Sequence, residues 1–153
     1  MKISASSLNL FFRCPYAFSL KLEGKEPVGT SDALYIGKAV HRALELFFKM
    51  QDENVRLEDF TDQAMAEIEH DYNTAEKINI KDKIQSKLVA YSEIAKSLLP
   101  EVAETESEFR IEFGEIEIHG FIDLITKDHT IIDFKTTDNA PSKPSNDYIL
   151  QLS

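Results

Sequence analysis

The sequence predicts a mixed α/β fold, a sheet with helices packed on it, in one domain of 153 residues. Three observations carry that expectation. Apolar residues recur at helical spacing as far as about residue 100. The period then drops to two. Turn-forming residues separate the alternating runs that follow.

The N-terminal helical part covers about residues 1–100. Residues 4–22 read as its start. Ser6 or Ser7 can cap it, Leu8, Phe11 and Phe12 fall at helical spacing, and Pro15 ends or kinks the turn before Tyr16, Phe18 and Leu20. Residues 23–32 read as a loop because they gather Gly, Pro and polar side chains. Ser31 or Asp32 then caps a strong helix to about Met50, with the stripe Ala33, Ile36, Gly37, Val40, Leu44, Phe47 and Phe48. A second amphipathic helix is predicted over 57–72, and a third from about Lys83 to Leu99, closed by Pro100.

A sheet is predicted over about 105–137. Phe109, Ile111 and Phe113 alternate with Glu108, Arg110 and Glu112, and after Gly114-Glu115 the run Ile116, Ile118, Gly120, Ile122 and Leu124 alternates again. Lys127-Asp128-His129 reads as a turn and Thr130–Thr136 as a third strand. Residues 137–147 read as loop, and about 146–153 as the start of a further helix.

Composition excludes several classes. With 42% hydrophobic residues and only five Gly and five Pro, the chain is neither fibrous nor wholly disordered. No apolar run approaches the roughly 18–20 residues of a membrane helix, and Met1–Ser7 lacks a signal-peptide layout, so the expected address is the cytoplasm, with no membrane partner. The single cysteine, Cys14, excludes an internal disulfide and cannot by itself make a zinc cluster. A net charge of −10 argues against nucleic-acid binding, because phosphate contact rewards basic surfaces. Electrostatic footprints are local, however, and many of the acids fall between residues 51 and 75.

Chemistry concentrates in two stretches. In the first, Gly120–Asp123 is followed by Ile131–Thr136. Residues two apart in a strand share a face, so Asp133 and Lys135 point the same way. If the intervening turn centres on Asp128, Asp123 faces Asp133 across the hairpin, about 4.5–5.5 Å away between Cβ atoms. Facing carboxylates repel, and a hard divalent cation such as Mg²⁺ or Mn²⁺ resolves that conflict. Lys135 beside them can orient a metal-bound water or steady a developing anion. The plainer alternative is an exposed hairpin with an Asp–Lys pair. The second stretch is Gly37-Lys-Ala-Val-His41-Arg-Ala-Leu-Glu45. A helical Gly costs roughly 0.8–1 kcal/mol against Ala, so Gly37 points to close approach of another backbone. His41, at the edge of the apolar stripe, is either a hydrogen-bonded core histidine or a ligand that suits Mn²⁺ better than Mg²⁺.

Taken in order, the Cys14-Pro15 opening, Gly37-x-x-x-His41, Gly120-x-x-Asp123, Asp133-x-Lys135-Thr136 and Gln151 resemble the RecB-type branch of the PD-(D/E)XK nuclease superfamily. That branch includes the RecB and AddB nuclease domains and CRISPR-associated RecB-like exonucleases. The resemblance runs from Ser4 to Gln151. It implies a restriction-endonuclease-like core, a central mixed sheet flanked by helices, and a Mg²⁺- or Mn²⁺-dependent deoxyribonuclease that acts as an exonuclease. By the same resemblance His41, Asp123 and Asp133 bind the metal, the Phe134 backbone carbonyl adds a ligand, Lys135 is the catalytic lysine and Gln151 assists. Lys38 and Arg42 are the candidate DNA contacts. Two departures accompany it. The chain ends before the Tyr of the family's Gln-x-x-x-Tyr motif, which implies a C-terminally truncated piece of a longer protein. Cys14 matches one ligand of the iron–sulfur cluster carried by some relatives, but the other three cysteines are absent, so a cluster is open only to a longer parent and within this chain Cys14 reads as a small buried hydrophobe. The implied partners are DNA and a helicase, recombination or CRISPR protein. Two other readings stay open: a non-catalytic DNA-binding or scaffold module with the same fold, and a metal-dependent hydrolase of another substrate.

Overall fold

The computed structural model describes residues 1–25, 31–68 and 77–137. Along the chain run β1 (Lys2–Ser4), α1 (Ala5–Arg13), α2 (Pro15–Leu22), α3 (Asp32–Met50), α4 (Thr61–Ile68), α5 (Lys77–Leu98), β2 (Val102–Phe113), β3 (Ile116–Thr126) and β4 (Ile131–Ile132). Short 3₁₀ turns occupy Leu57–Phe60 and Leu99–Glu101. The four strands form a mixed sheet in the order β1-β3-β2, with β4 also paired to β3. This is the mixed α/β architecture that the sequence predicts, a mixed sheet accompanied by helices. Among the described residues no helix is long and apolar enough to cross a membrane. The expected helix start at 146–153 and most of the loop before it lie outside the described residues.

The chain divides into two compact units. The first contains β1, α1, α2 and the stretch Glu108–Phe121 of β2 and β3. β1 pairs parallel to β3 through Lys2↔Glu117, Ile3↔Ile118 and Ser4↔His119. Three residues carry no periodic signal, so this strand was hidden in what reads as the start of a helix. Ser4 ends it and caps α1 by accepting the Ser7 N–H at 3.2 Å. The break at Pro15 is real. Cys14 closes α1 with its N–H on the Leu10 carbonyl, and its sulfur accepts the Ala17 N–H at 3.4 Å to cap α2. Gly120 has a packing reason: a Cβ there would meet the Phe109 ring at 2.7 Å.

The second unit spans Thr30–Ser107 and Ile122–Thr136. Its core is the buried face of α3, formed by Ile36, Ala39, Val40, Ala43, Leu44, Phe47 and Phe48. Leu57, Ala64, Ile80, Ile84, Leu88, Leu124 and Phe134 close over it. The face is wider than the predicted stripe because α4, α5 and the Leu57–Phe60 turn all pack on it, which buries Ala39 and Ala43 but leaves Ala33 exposed. The predicted helix over 57–72 is a 3₁₀ turn followed by α4, with residues 69–72 outside the described set. The third predicted helix starts earlier, at Lys77, because Ile80 joins Ile84 and Leu88 in the core.

The β3–β4 hairpin has the register Leu124↔Ile132 and Ile125↔Ile131, which is that of a turn centred on Asp128. The third strand is much shorter than Thr130–Thr136, because side chains replace the ladder beyond Ile132. The Asp123 carboxylate accepts the Phe134 N–H at 2.6 Å, and Tyr91 Oη donates to the Lys135 carbonyl at 2.8 Å.

Candidate active site

The side chains that build the candidate site and line its cavity all lie within the second unit. Ser31 caps α3 with its hydroxyl on the Leu34 N–H, and the buried face of the helix then sets its rotation. His41 follows Val40 and emerges partly buried at the edge of that face. Its Nδ1 lies 3.3 Å from Asp123 Oδ1. Asp123 is the neighbour of fully buried Leu124 on β3, so strand alternation turns it to the opposite face. Glu106, on β2, completes a group with them: one ligand atom from each of His41, Glu106 and Asp123 lies within 4.8 Å of the others.

Glu106 went unnoticed in the sequence. It sits in Glu104-Thr-Glu106-Ser-Glu108, where alternating acids read as a solvated strand edge. Its backbone has φ +48°, a left-handed conformation unusual for a residue with a Cβ. No local pattern announces that conformation.

The electrostatics follow from the crowding. Burial raises the Glu106 carboxyl above its ordinary value, and the charges of Asp123 and Glu45 push it further up. Burial alone would lower His41, but the hydrogen bond and charge of Asp123, with Glu106 behind them, lift the imidazole above its usual value. Burial likewise opposes ionisation of Asp123, and is outweighed by His41, the Phe134 N–H and Lys135, so this carboxyl titrates low. Two carboxylates and an imidazole this close fit a cation. Hard oxygens with one nitrogen suit Mn²⁺ or Mg²⁺, and a positive ion removes the repulsion that burdens Glu106.

Of the other residues singled out in the sequence, Asp133 and Lys135 pair with each other. Lys135 Nζ is 2.8 Å from each Asp133 oxygen, and Asp133 is not part of the three-residue donor group. Continuing the hairpin register would set Asp133 opposite Asp123. The Phe134 ring is buried, stacked on Phe48 at 5.9 Å between centroids. Gly37 is indeed crowded, but by a side chain and not a backbone: a Cβ there would lie 3.2 Å from Thr136 Oγ1. Gln151 lies outside the described residues. Cys14 belongs to the first unit, where it is not a buried hydrophobe but an exposed helix cap, its sulfur engaged by the Ala17 N–H between α1 and α2.

Lys38 and Arg42 line a cavity of about 560 Å³ together with His41, Glu45, Glu106 and Asp123. Arg42 is engaged by Glu45 at 2.5 Å and by Glu67, and Lys49 also reaches Glu45 at 2.5 Å. The acidic run is therefore not remote from the cavity, since Glu67 reaches one of its lining residues. Burial would raise Glu45, but the hydrogen bonds and charges of Lys49 and Arg42 hold it below the ordinary carboxyl value. A carboxyl depressed on folding contributes stability above its unfolded pKa, and that contribution is lost as pH falls through the folded value. Glu45→Gln should therefore lower the urea midpoint near neutral pH, with the deficit closing in acid. A deficit unchanged in acid would assign the effect to packing instead.

Comparison with known proteins adds one finding. A family model described as the PD-(D/E)XK nuclease superfamily matches residues 2–153. No curated protein matches the chain.

Proposed function

We propose, given that this chain belongs to the PD-(D/E)XK nuclease superfamily, that it is a divalent-metal-dependent deoxyribonuclease of the RecB-type branch, an exonuclease in repair, recombination or defence. The observation that carries this reading is the contact of His41 with Asp123, with a second carboxylate beside them in an open cavity. His41, Asp123 and Asp133 hold the metal with the Phe134 carbonyl, and Glu106 joins them on geometric grounds. Bound there, the ion supplies Lewis-acid polarisation of a phosphoryl oxygen and a lowered pKa for water.

The chain's own residues do the rest. Lys135 orients the attacking water for in-line displacement and steadies charge on the phosphate. Lys38 and Arg42 meet neighbouring phosphates, Arg42 by exchanging Glu45 and Glu67 for the substrate. Gln151 orients the substrate or Lys135. With a net charge of −10, a helicase, recombination or CRISPR partner supplies much of the basic DNA path. Cys14 holds a cluster only if a longer parent provides the missing thiolates.

Calorimetric titration with Mn²⁺ and Mg²⁺, followed by assays on linear and circular DNA, tests the proposal. Metal binding with degradation of linear DNA and sparing of circles is the expected result. DNA binding without cleavage would mark a scaffold module instead, and metal binding with indifference to DNA would mark a hydrolase of another substrate.

A further inference from the structure

Among the described residues, the β3–β4 ladder pairing runs as far as Ile132, and the segment Asp133–Thr136 that bears Lys135 follows it. Backbone groups without a ladder need other partners or water. Here one comes from β3, where the Asp123 carboxylate takes the Phe134 N–H. Another comes from α5, where Tyr91 Oη donates to the Lys135 carbonyl at 2.8 Å. The Tyr91 ring also meets Phe134 edge-on, with centroids 5.8 Å apart, and Phe134 is itself stacked on Phe48. Tyr91 therefore grips two successive residues, one through its ring and one through its hydroxyl.

We propose that Tyr91 is a positioning residue for the nuclease reaction: its hydroxyl fixes the backbone of Lys135 and so the direction in which the lysine side chain leaves the chain. The proposal rests on the reading of Lys135 as the catalytic lysine. Tyr91 belongs neither to the His41–Asp123–Glu106 donor group nor to the residues lining the cavity, and its hydroxyl acts on the site through the Lys135 backbone. Reaction geometry is sensitive to such displacements, and a hydroxyl-to-carbonyl bond is a modest constraint that a single atom removes.

Tyr91→Phe keeps the ring against Phe134 and deletes only the donor. In the full chain with Mn²⁺, kcat on a linear oligonucleotide should fall about three- to tenfold, while KM and the calorimetric Mn²⁺ affinity hold. The Lys135 carbonyl ¹³C resonance should move in the same variant, which reports the bond independently of activity. A parental kcat, an unmoved carbonyl resonance, or a matching loss of Mn²⁺ affinity would each overturn the proposal. Lys135→Ala separates this from the parent reading. If Lys135→Ala is inactive and Tyr91→Phe is parental, only the positioning role fails. If Lys135→Ala still cleaves, the catalytic reading fails and the positioning role with it.

Discussion

Lys135→Ala is expected to lose cleavage by on the order of 10²–10⁴-fold while the protein remains folded. The two halves of that expectation have separate grounds. The side chain is partly exposed and pairs with Asp133, itself partly buried, and a pair still open to solvent contributes little to stability. The backbone of the segment does not depend on the ammonium group, because the Phe134 N–H and the Lys135 carbonyl are held by Asp123 and Tyr91. The buried Phe134 ring is a third anchor. Loss of the amine therefore removes chemistry and leaves the scaffold. Single-turnover cleavage beside a thermal melt is the required measurement. A parental rate from the alanine variant would remove Lys135 from the reaction and with it the proposed mechanism.

Glu106→Gly should act in two opposite directions. In metal-free protein it should stabilise, because glycine adopts φ +48° without the cost that a Cβ imposes there. That cost is roughly 1–2 kcal/mol, and glycine's extra unfolded-state freedom takes back about half, leaving a gain of about 0.5–1 kcal/mol. The substitution also removes a carboxylate from beside Asp123 and Glu45, which adds to the gain in the absence of a cation. With Mn²⁺ the balance reverses. One oxygen donor fewer beside His41 and Asp123 should weaken binding by at least about tenfold. Urea unfolding without metal and calorimetry with it read the two effects separately. A less stable apoprotein that binds Mn²⁺ as before would make Glu106 an ordinary strand residue.

Much of the frame was legible because it is periodic. The stripe from Ile36 to Phe48 defines α3, and burial of that face brings His41 to its edge. Two alternating runs about Gly114, with φ +61° at the turn, define β2 and β3. Other features leave no such trace. β1 is three residues long and exists because β3 offers an edge to pair with. The early end of β4 depends on Asp123 and Tyr91 competing successfully for backbone groups that a strand would otherwise pair.

The sequence by itself determined the order of the elements after β1, the place of the hairpin turn about Asp128 and which residues carry chemical groups, because hydrophobic period and turn chemistry are local properties. Only the tertiary structure decided that Glu106 stands with His41 and Asp123, that Arg42 is tied to Glu45 and Glu67, and that Tyr91 reaches Lys135. Those meetings join residues from different elements, and whether two such side chains touch is set by how the helices and strands pack, which no stretch of neighbouring residues encodes.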